Sequence, residues 1–498
     1  MERPAGTRSA LLSTIFLVLL PGAVRAQATG LPTGGLEKAH PPAFAGSFYP
    51  ADPESLIREV DAHLAAGGEV PDDALRGKAV RAVLVPHAAY RFAGDVAGQV
   101  FRRVGDHPYE AIVIMAPSHR AGFRGASIYP GRALATPLGE VPIHLGIARR
   151  LVAVDDSIFF SNRGYEREHS VEVQLPFIQR VLPDVPVVPL VVGYQSLELG
   201  FHLARTLAAV LEGHDVLLVA SSDLSHYHTK SEADWLDREL LALIETDDPF
   251  MVGYEVFRGR LEACGAGPIL TVLDTARRMG AERVDVIARG DSGEASGDST
   301  RVVGYGGVVV REGTSPRMGL RDREGEVLVE LARSTIEAAV SRSVLPALTD
   351  LPPRLMEKQG AFVTLRRNGQ LRGCFGRVLP AGPLAQTVRE VAIGSALRDP
   401  RFPPVGPSEL EDLSVEVSLV SPIRPLEVDE VPELRMGRDG VMIIRGDRSG
   451  LLLPAVAEEQ GWDRQTFLER LCTKAGLPPG AWRDPSSRLF VFTATPVR

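Results

Sequence analysis

In the stretch Val80-Arg81-Ala82-Val83-Leu84-Val85-Pro86-His87, a short apolar run rich in β-branched residues ends at a proline and is followed at once by a histidine. A run of this length, bounded by a turn signal, predicts a strand. Comparable runs follow at Ala111 to Met115, Val187 to Val192, Val216 to Ala220, Val284 to Ile287 and Val302 to Val310. Longer amphipathic stretches lie between them, at Ser55 to Leu64, Val171 to Val181, Leu197 to Leu211, Glu232 to Glu245 and Pro268 to Met279. This alternation predicts an α/β domain with a mainly parallel central sheet, spanning residues 41–311.

The histidine after the first run is not isolated. His119 follows the run at Ala111, and His226 lies just past the run ending at Ala220. In open α/β sheets ligands bind in the crevice outside the carboxyl ends of the strands, so three separate strands would deliver imidazoles to one edge of the fold. Cys264 stands in Ala263-Cys264-Gly265-Ala266-Gly267-Pro268, just before a predicted helix whose N-terminal amides would favour a thiolate. One histidine after a strand is more often a hydrogen-bonded loop residue than a ligand. Three recurring at the same structural position, among eleven in the chain, argue for a shared metal or catalytic site. His63, His107, His144, His202 and His214 are read as surface or structural residues.

Residues 312–323 are polar, with Gly, Ser and Pro, and read as a linker. The texture then changes. A predicted helix from Glu324 to Ser341 precedes two runs, Ala361 to Arg366 and Gln370 to Phe375, that face each other across Asn368-Gly369. That dipeptide favours a hairpin because both turn residues must accept positive φ. A helix from Pro383 to Ala396, strands at Leu413 to Val420, Val441 to Ile444 and Leu451 to Leu453, and a helix from Arg464 to Ala475 complete a smaller α+β domain over 324–498.

At 498 residues, with 44% apolar and 24% charged residues, the chain has material for two globular cores. A net charge of −8 supplies no basic face for nucleic acid, and no such role is expected. Arg3 and Arg8 precede an apolar run from Ala10 to Leu20, broken by Pro21-Gly22 and followed by Val24-Arg25-Ala26. Residues 1–26 thus have the grammar of a signal peptide, followed by a flexible lead-in at 27–40, and the protein is expected to be exported to a periplasmic or extracellular space. The apolar run falls well short of the roughly 20 residues that cross a bilayer, so no stable membrane span is expected. Three widely spaced cysteines, Cys264, Cys374 and Cys472, do not make a disulfide framework.

Five segments carry a resemblance. PHAAYRFAG (Pro86 to Gly94), APSH (Ala116 to His119), EHSVEVQLPF (Glu168 to Phe177), SSDLSHY (Ser221 to Tyr227) and CGAGPI (Cys264 to Ile269) resemble, in order and spacing, the motif set of the Memo family. That family has a fold similar to the class III extradiol dioxygenases. The resemblance implies that His87, His119 and Cys264 are metal ligands, with His226 and Asp223 nearby as groups that support the ligands or act as acid and base. The second domain is similar to the AMMECR family through AFVTLRRNGQLRGCFG (Ala361 to Gly376), DPRFPPV (Asp399 to Val405), VEVSLVSP (Val415 to Pro422) and KAGLPP (Lys474 to Pro479). Together the halves resemble two proteins of the AmmeMemoRadiSam system, fused in reverse order. That system implies a radical SAM partner, which needs a reducing compartment that export would deny.

Two imidazoles and a thiolate suit Fe(II) or Cu, and also Zn. The leading expectation is a metal-dependent redox or oxygenase-like enzyme acting on a small-molecule substrate, in which His226, assisted by Asp223, moves protons. Cys264 stands where extradiol dioxygenases place a carboxylate, and a thiolate is itself oxidisable, so activity does not transfer with the fold. The alternative is a protein that binds or sequesters iron or copper without turnover; a zinc hydrolase is a third reading. In the second domain Cys374 invites a catalytic reading, but no histidine follows His228. Its plain reading is a buried strand residue between Gly373 and Gly376, which allow close backbone approach. Arg372 and Asp399-Pro400-Arg401 offer an anion site, or simply pairs of Arg with acid.

Overall fold

The computed structural model describes residues 38–66, 79–105, 107–281, 283–312, 322–379, 382–446, 448–484 and 486–497. The expected signal peptide lies outside the described residues, as do most of the lead-in and most of the linker.

The first domain is built on a nine-stranded sheet. Its strands are β1 (Val80–Val85), β2 (Ala111–Pro117), β3 (Ala126–Ile128), β4 (Ile158–Phe160), β5 (Val187–Val192), β6 (Val216–Ser221), β7 (His226–His228), β8 (Arg283–Asp291) and β9 (Val302–Arg311). Their order is β7-β9-β1-β6-β2-β5-β3-β4, with β8 also paired to β9. The expectation of a mainly parallel sheet needs narrowing. Only β1, β6, β2 and β5 form a parallel block, and β3 pairs in parallel with β4. The β7–β9, β8–β9, β9–β1 and β3–β5 pairs are antiparallel. For β8–β9 the reason is local: the two strands are joined by a short connection rather than a helical crossover, and parallel pairing requires the longer crossover.

Alternation along the central strands feeds two cores. Val83, Val85, Ile112, Ile114, Leu217 and Val219 face a layer containing α1 (Pro53–Ala66), α2 (Tyr90–Val104) and α4 (Leu175–Val181). Ala82, Leu84, Val113, Met115, Leu218 and Ala220 face a layer containing α5 (Leu197–Val210), α6 (Lys230–Glu245), α7 (Pro249–Phe257) and α8 (Ala266–Arg278). A further helix, α3 (Leu145–Val154), packs on α5. Helix α2 was not among the sequence expectations. Gly94 and Gly98 weaken its intrinsic propensity, yet Gly98 is required: a Cβ there would lie 2.3 Å from the His63 carbonyl oxygen of α1.

The second domain begins with α9 (Asp322–Ser341) and a seven-stranded antiparallel sheet. Its strands are β10 (Ala361–Arg367), β11 (Gln370–Arg377), β12 (Leu413–Val420), β13 (Arg424–Leu426), β14 (Asp439–Arg445), β15 (Arg448–Leu452) and β16 (Arg488–Pro496). Asn368 at φ 52° and Gly369 at φ 79° form the expected turn between β10 and β11. Helix α10 (Leu384–Leu397) packs on that hairpin, while α11 (Pro454–Gln460) and α12 (Arg464–Lys474) cover the other half of the sheet. The two domains share packed surface. Phe250 of α7 and Phe490 of β16 lie with ring centroids 4.9 Å apart, and Arg278 at the end of α8 reaches Glu430 at 3.4 Å.

Gly373 of β11 bears out the expectation of close backbone approach, because a Cβ there would sit 2.2 Å from the Ser395 carbonyl oxygen of α10. Gly373→Ala is expected to destabilise the chain by about 1–3 kcal/mol through overpacking, read as a lower midpoint in thermal unfolding. An unchanged midpoint would show that α10 does not press on the hairpin.

Candidate metal centre

Strand β6 lies between β1 and β2, so the carboxyl ends of all three share one rim. His87 follows β1 by two residues and is 1% exposed; His119 follows β2 by two residues and is exposed. Cys264 arrives from the loop before α8, a helix that packs beneath β6 and β2. One ligand atom from each of His87, His119 and Cys264 falls within 4.8 Å of the others. His87 Nε2 is 3.1 Å from Cys264 Sγ, and the two imidazole centroids are 5.0 Å apart.

Hydrogen bonds behind these rings set their direction. Ser221 Oγ donates to the Ser170 carbonyl at 2.6 Å, so toward His87 Nδ1, 3.0 Å away, it acts as the acceptor. His87 therefore carries its proton on Nδ1 and presents the Nε2 lone pair to Cys264. Glu168 does the same for His119: its Oε1 accepts from Nδ1 at 2.9 Å, and its Oε2 accepts from the His119 backbone N–H at 2.5 Å. A carboxylate behind a ligand imidazole fixes the tautomer and raises the basicity of the free nitrogen.

Cys264 is held from both sides. The Gln195 side-chain amide donates to the Cys264 carbonyl at 2.8 Å and accepts from Gly267 N–H at 2.7 Å. Gly265 admits no side chain, since a Cβ would lie 2.7 Å from the Ser221 carbonyl oxygen. The Asp223 backbone N–H points at Sγ from 3.3 Å. The expectation that helix amides would favour a thiolate is outweighed here: burial, then the Asp223 carboxylate, pushes the Cys264 thiol well up. Burial has the opposite consequence for His87, lowering it to about 3 and keeping it neutral and ready to ligate.

Asp223 and His226 occupy different places from the three clustered residues. The buried Asp223 carboxylate accepts from the backbone N–H groups of His87 at 2.8 Å and Ala88 at 3.3 Å, and so ties the His87 loop to β6. His226 opens β7, a short strand at the sheet edge, and its Nδ1 pairs with the Leu224 carbonyl at 2.8 Å. Its nearness to His87 and Asp223 shows in the electrostatic influence it exerts on both.

Sequence reasoning missed the segment behind the ligands. Glu168 and His169 form a second group of possible ligands with His119, and the His169 ring stacks on His119 with centroids 4.8 Å apart. Burial, with the neighbouring His87, pushes His169 down. Glu172 accepts from Ala43 N–H, Phe44 N–H and Tyr49 O–H, pinning a loop whose Phe44 and Phe48 rings cover His169. Gln174 donates to the Pro86 carbonyl and to Ser221 Oγ. The available signal was an adjacent Glu-His pair just ahead of a predicted helix. In the second domain Cys374 is half-buried, not buried as expected, because β11 is an edge strand; it lies 3.5 Å from Thr364 Oγ1, and its backbone N–H donates to Asp399. Arg401 pairs with Asp399 and Arg372 with Glu409, so these arginines satisfy neighbouring acids.

Comparison with known proteins agrees with this organisation. Residues 40–309 match the family model described as Memo-like protein, and residues 329–497 match the model described as AMMECR1. A MEMO1 family protein of Methanobrevibacter smithii is 32% identical over 275 residues, covering 53% of this chain and 96% of that protein. A protein of Thermococcus gammatolerans is 47% identical over 184 residues, covering 35% of this chain and 90% of that protein. Among solved structures, an uncharacterized protein from Pyrococcus horikoshii shares 43% identity over 35% of this chain and 91% of its own, with a TM-score of 0.34. The chain belongs to the Memo-like protein family, with an AMMECR1 domain fused behind the Memo-like domain.

Proposed function

We propose that the first domain is a metal-dependent redox or oxygenase-like centre in which His87, His119 and Cys264 hold iron or copper. The observation that carries this reading is the orientation of the two imidazoles. Each has its Nδ1 occupied by an acceptor, Ser221 for His87 and Glu168 for His119, so both Nε2 lone pairs are free on the side of Cys264. The donor set fits Fe(II) or Cu, and zinc would accept it too, because two neutral imidazoles and a thiolate are borderline to soft ligands. Iron or copper bound there supplies a redox centre at which a small molecule or dioxygen can be activated. The chain's own residues do the rest: Glu168 and Ser221 orient the ligands, Asp223 positions the His87 loop, and Phe44 and Phe48 shield His169 from water. With its Nδ1 proton given to Leu224, His226 keeps Nε2 free to take a proton from a substrate hydroxyl.

A thiolate in the place of the carboxylate donor favours a second reading, binding or sequestration of iron or copper without turnover. The leader read at residues 1–26 would put either activity outside the cytoplasm and away from a radical SAM partner. The first-domain fold is taken as extradiol dioxygenase-like, which leaves the chemistry to be decided by the site.

Chain purified anaerobically should retain about one ion, while His87→Ala and Cys264→Ala should each keep less than about a tenth of it with an unchanged circular dichroism spectrum, since truncation removes a ligand. Full occupancy in both variants would overturn the assignment. Oxygen uptake with a panel of catechols would favour the redox reading over sequestration.

The protonation states set a pH dependence. His87 is already neutral at pH 7, whereas burial keeps Cys264 a thiol that must lose its proton to bind a cation. Metal affinity should therefore rise about tenfold per pH unit from about pH 6 to pH 8, with about one proton released per ion. Titration calorimetry in buffers of different ionisation enthalpy measures that release, and a pH-independent affinity would exclude Cys264 as a ligand.

A further inference from the structure

Beside the histidine and cysteine cluster lies a recess of about 370 Å³ lined by Arg120, Ala121, Arg163, Gly164, Glu166 and Arg167. Its walls are the residues next to the site: Arg120 follows His119, and Arg167 precedes Glu168 and His169. Three arginines and one glutamate thus line a single concave surface. Some arginines elsewhere are matched with acids, as in Arg180 with Asp61, Arg278 with Asp274 and Arg372 with Glu409, while others among the described residues that lie on the open surface, such as Arg124 and Arg149, are not. Among the described residues no ion pair involves Arg120, Arg163 or Arg167.

The recess is built on a held loop. Gly164, at φ +88°, lies so close to the sheet that a Cβ would meet Val191 Cγ1 at 2.7 Å. The Arg163 carbonyl accepts from Ser127 Oγ of β3. Arg167 takes the left-handed conformation at φ 55°, next to Glu168, whose carboxylate is fixed by His119, His169 and Ser170. The charges are therefore carried on backbone that the metal site itself orders. Guanidinium groups in such an arrangement match the planar or tetrahedral oxygens of carboxylates and phosphates, which they bind through paired hydrogen bonds.

We propose that this recess binds an oxyanion, a carboxylate or a phosphate, carried by the small molecule that reaches the His87, His119 and Cys264 site. Calling that molecule the substrate rests on the metal-centre reading; the binding of the anion does not.

The test uses the full chain, metal-loaded and metal-stripped, and two matched pairs of probes: 3,4-dihydroxybenzoate against catechol, and phenyl phosphate against phenol. Calorimetry on the metal-loaded chain should show one anionic member binding about tenfold or more tightly than its neutral counterpart, as expected for charge-assisted hydrogen bonds. The pair that shows the preference identifies the oxyanion. The stripped chain should keep the preference, and added salt should weaken it. In Arg163→Gln/Arg167→Gln the ratio should fall toward one with metal content unchanged. Equal binding within both pairs, or a preference that survives in the double variant, overturns the proposal. If the wild-type chain retains no metal, the metal-centre reading fails while the stripped-chain comparison still decides the anion site.

Discussion

A single buried carboxylate, that of Glu168, organises the first domain's site. It accepts from His119 through both Nδ1–H and the backbone N–H, and from the backbone N–H groups of His169 and Ser170. A carboxylate taken out of water is costly unless its lone pairs are met. Burial alone would raise Glu168, but the His119 hydrogen bonds win and hold it well below the usual carboxylate range. A neutral Glu168 would lose the acceptor that keeps the His119 proton on Nδ1. The direction of the His119 imidazole therefore depends on a charge set behind the ring.

The same short segment reaches every other part of the centre. Glu172 fastens the loop at 43–49, and Gln174 reaches the Pro86 carbonyl and the Ser221 hydroxyl that stands behind His87. Buried polar groups reinforce one another through such a network, which here links several elements and leaves Gln174 Oε1 as a buried oxygen without a partner among the described residues. The parallel block β1-β6-β2 supplies the frame, because its three carboxyl ends emerge side by side and the loops that follow need travel only a few residues. The arginine-lined recess lies on the outer side of this network, on the loop that Glu168 terminates.

The second domain meets the first along several helices, through Glu198 of α5, Glu239 of α6, Phe250 of α7 and the end of α8. Cys264 stands just ahead of the first turn of that helix, and Arg278 in its last turn pairs with Glu430. The Cys374 hairpin is a packed feature in its own right, with Gly373 against α10 and with its neighbouring arginines matched to acids.

The amino-acid sequence by itself determined the alternation of strands and helices, the Asn368-Gly369 hairpin, the two-domain division by motif, and the three ligand candidates that end or begin elements. Those features are local: apolar periodicity, turn residues with positive φ, and a histidine two residues past a strand can be recognised without knowing what lies across the fold. Only the tertiary structure decided that the sheet is parallel at its centre and antiparallel toward its flanks, that Gly94 and Gly98 belong to a helix, and that His226 sits on an edge strand. It alone showed Glu168, His169 and Gln174 to be the scaffold of the site, and Arg120, Arg163 and Arg167 to share one recess. The reason is that a buried carboxylate and a surface one look alike in a sequence; their difference is the set of partners brought to them by segments tens of residues away.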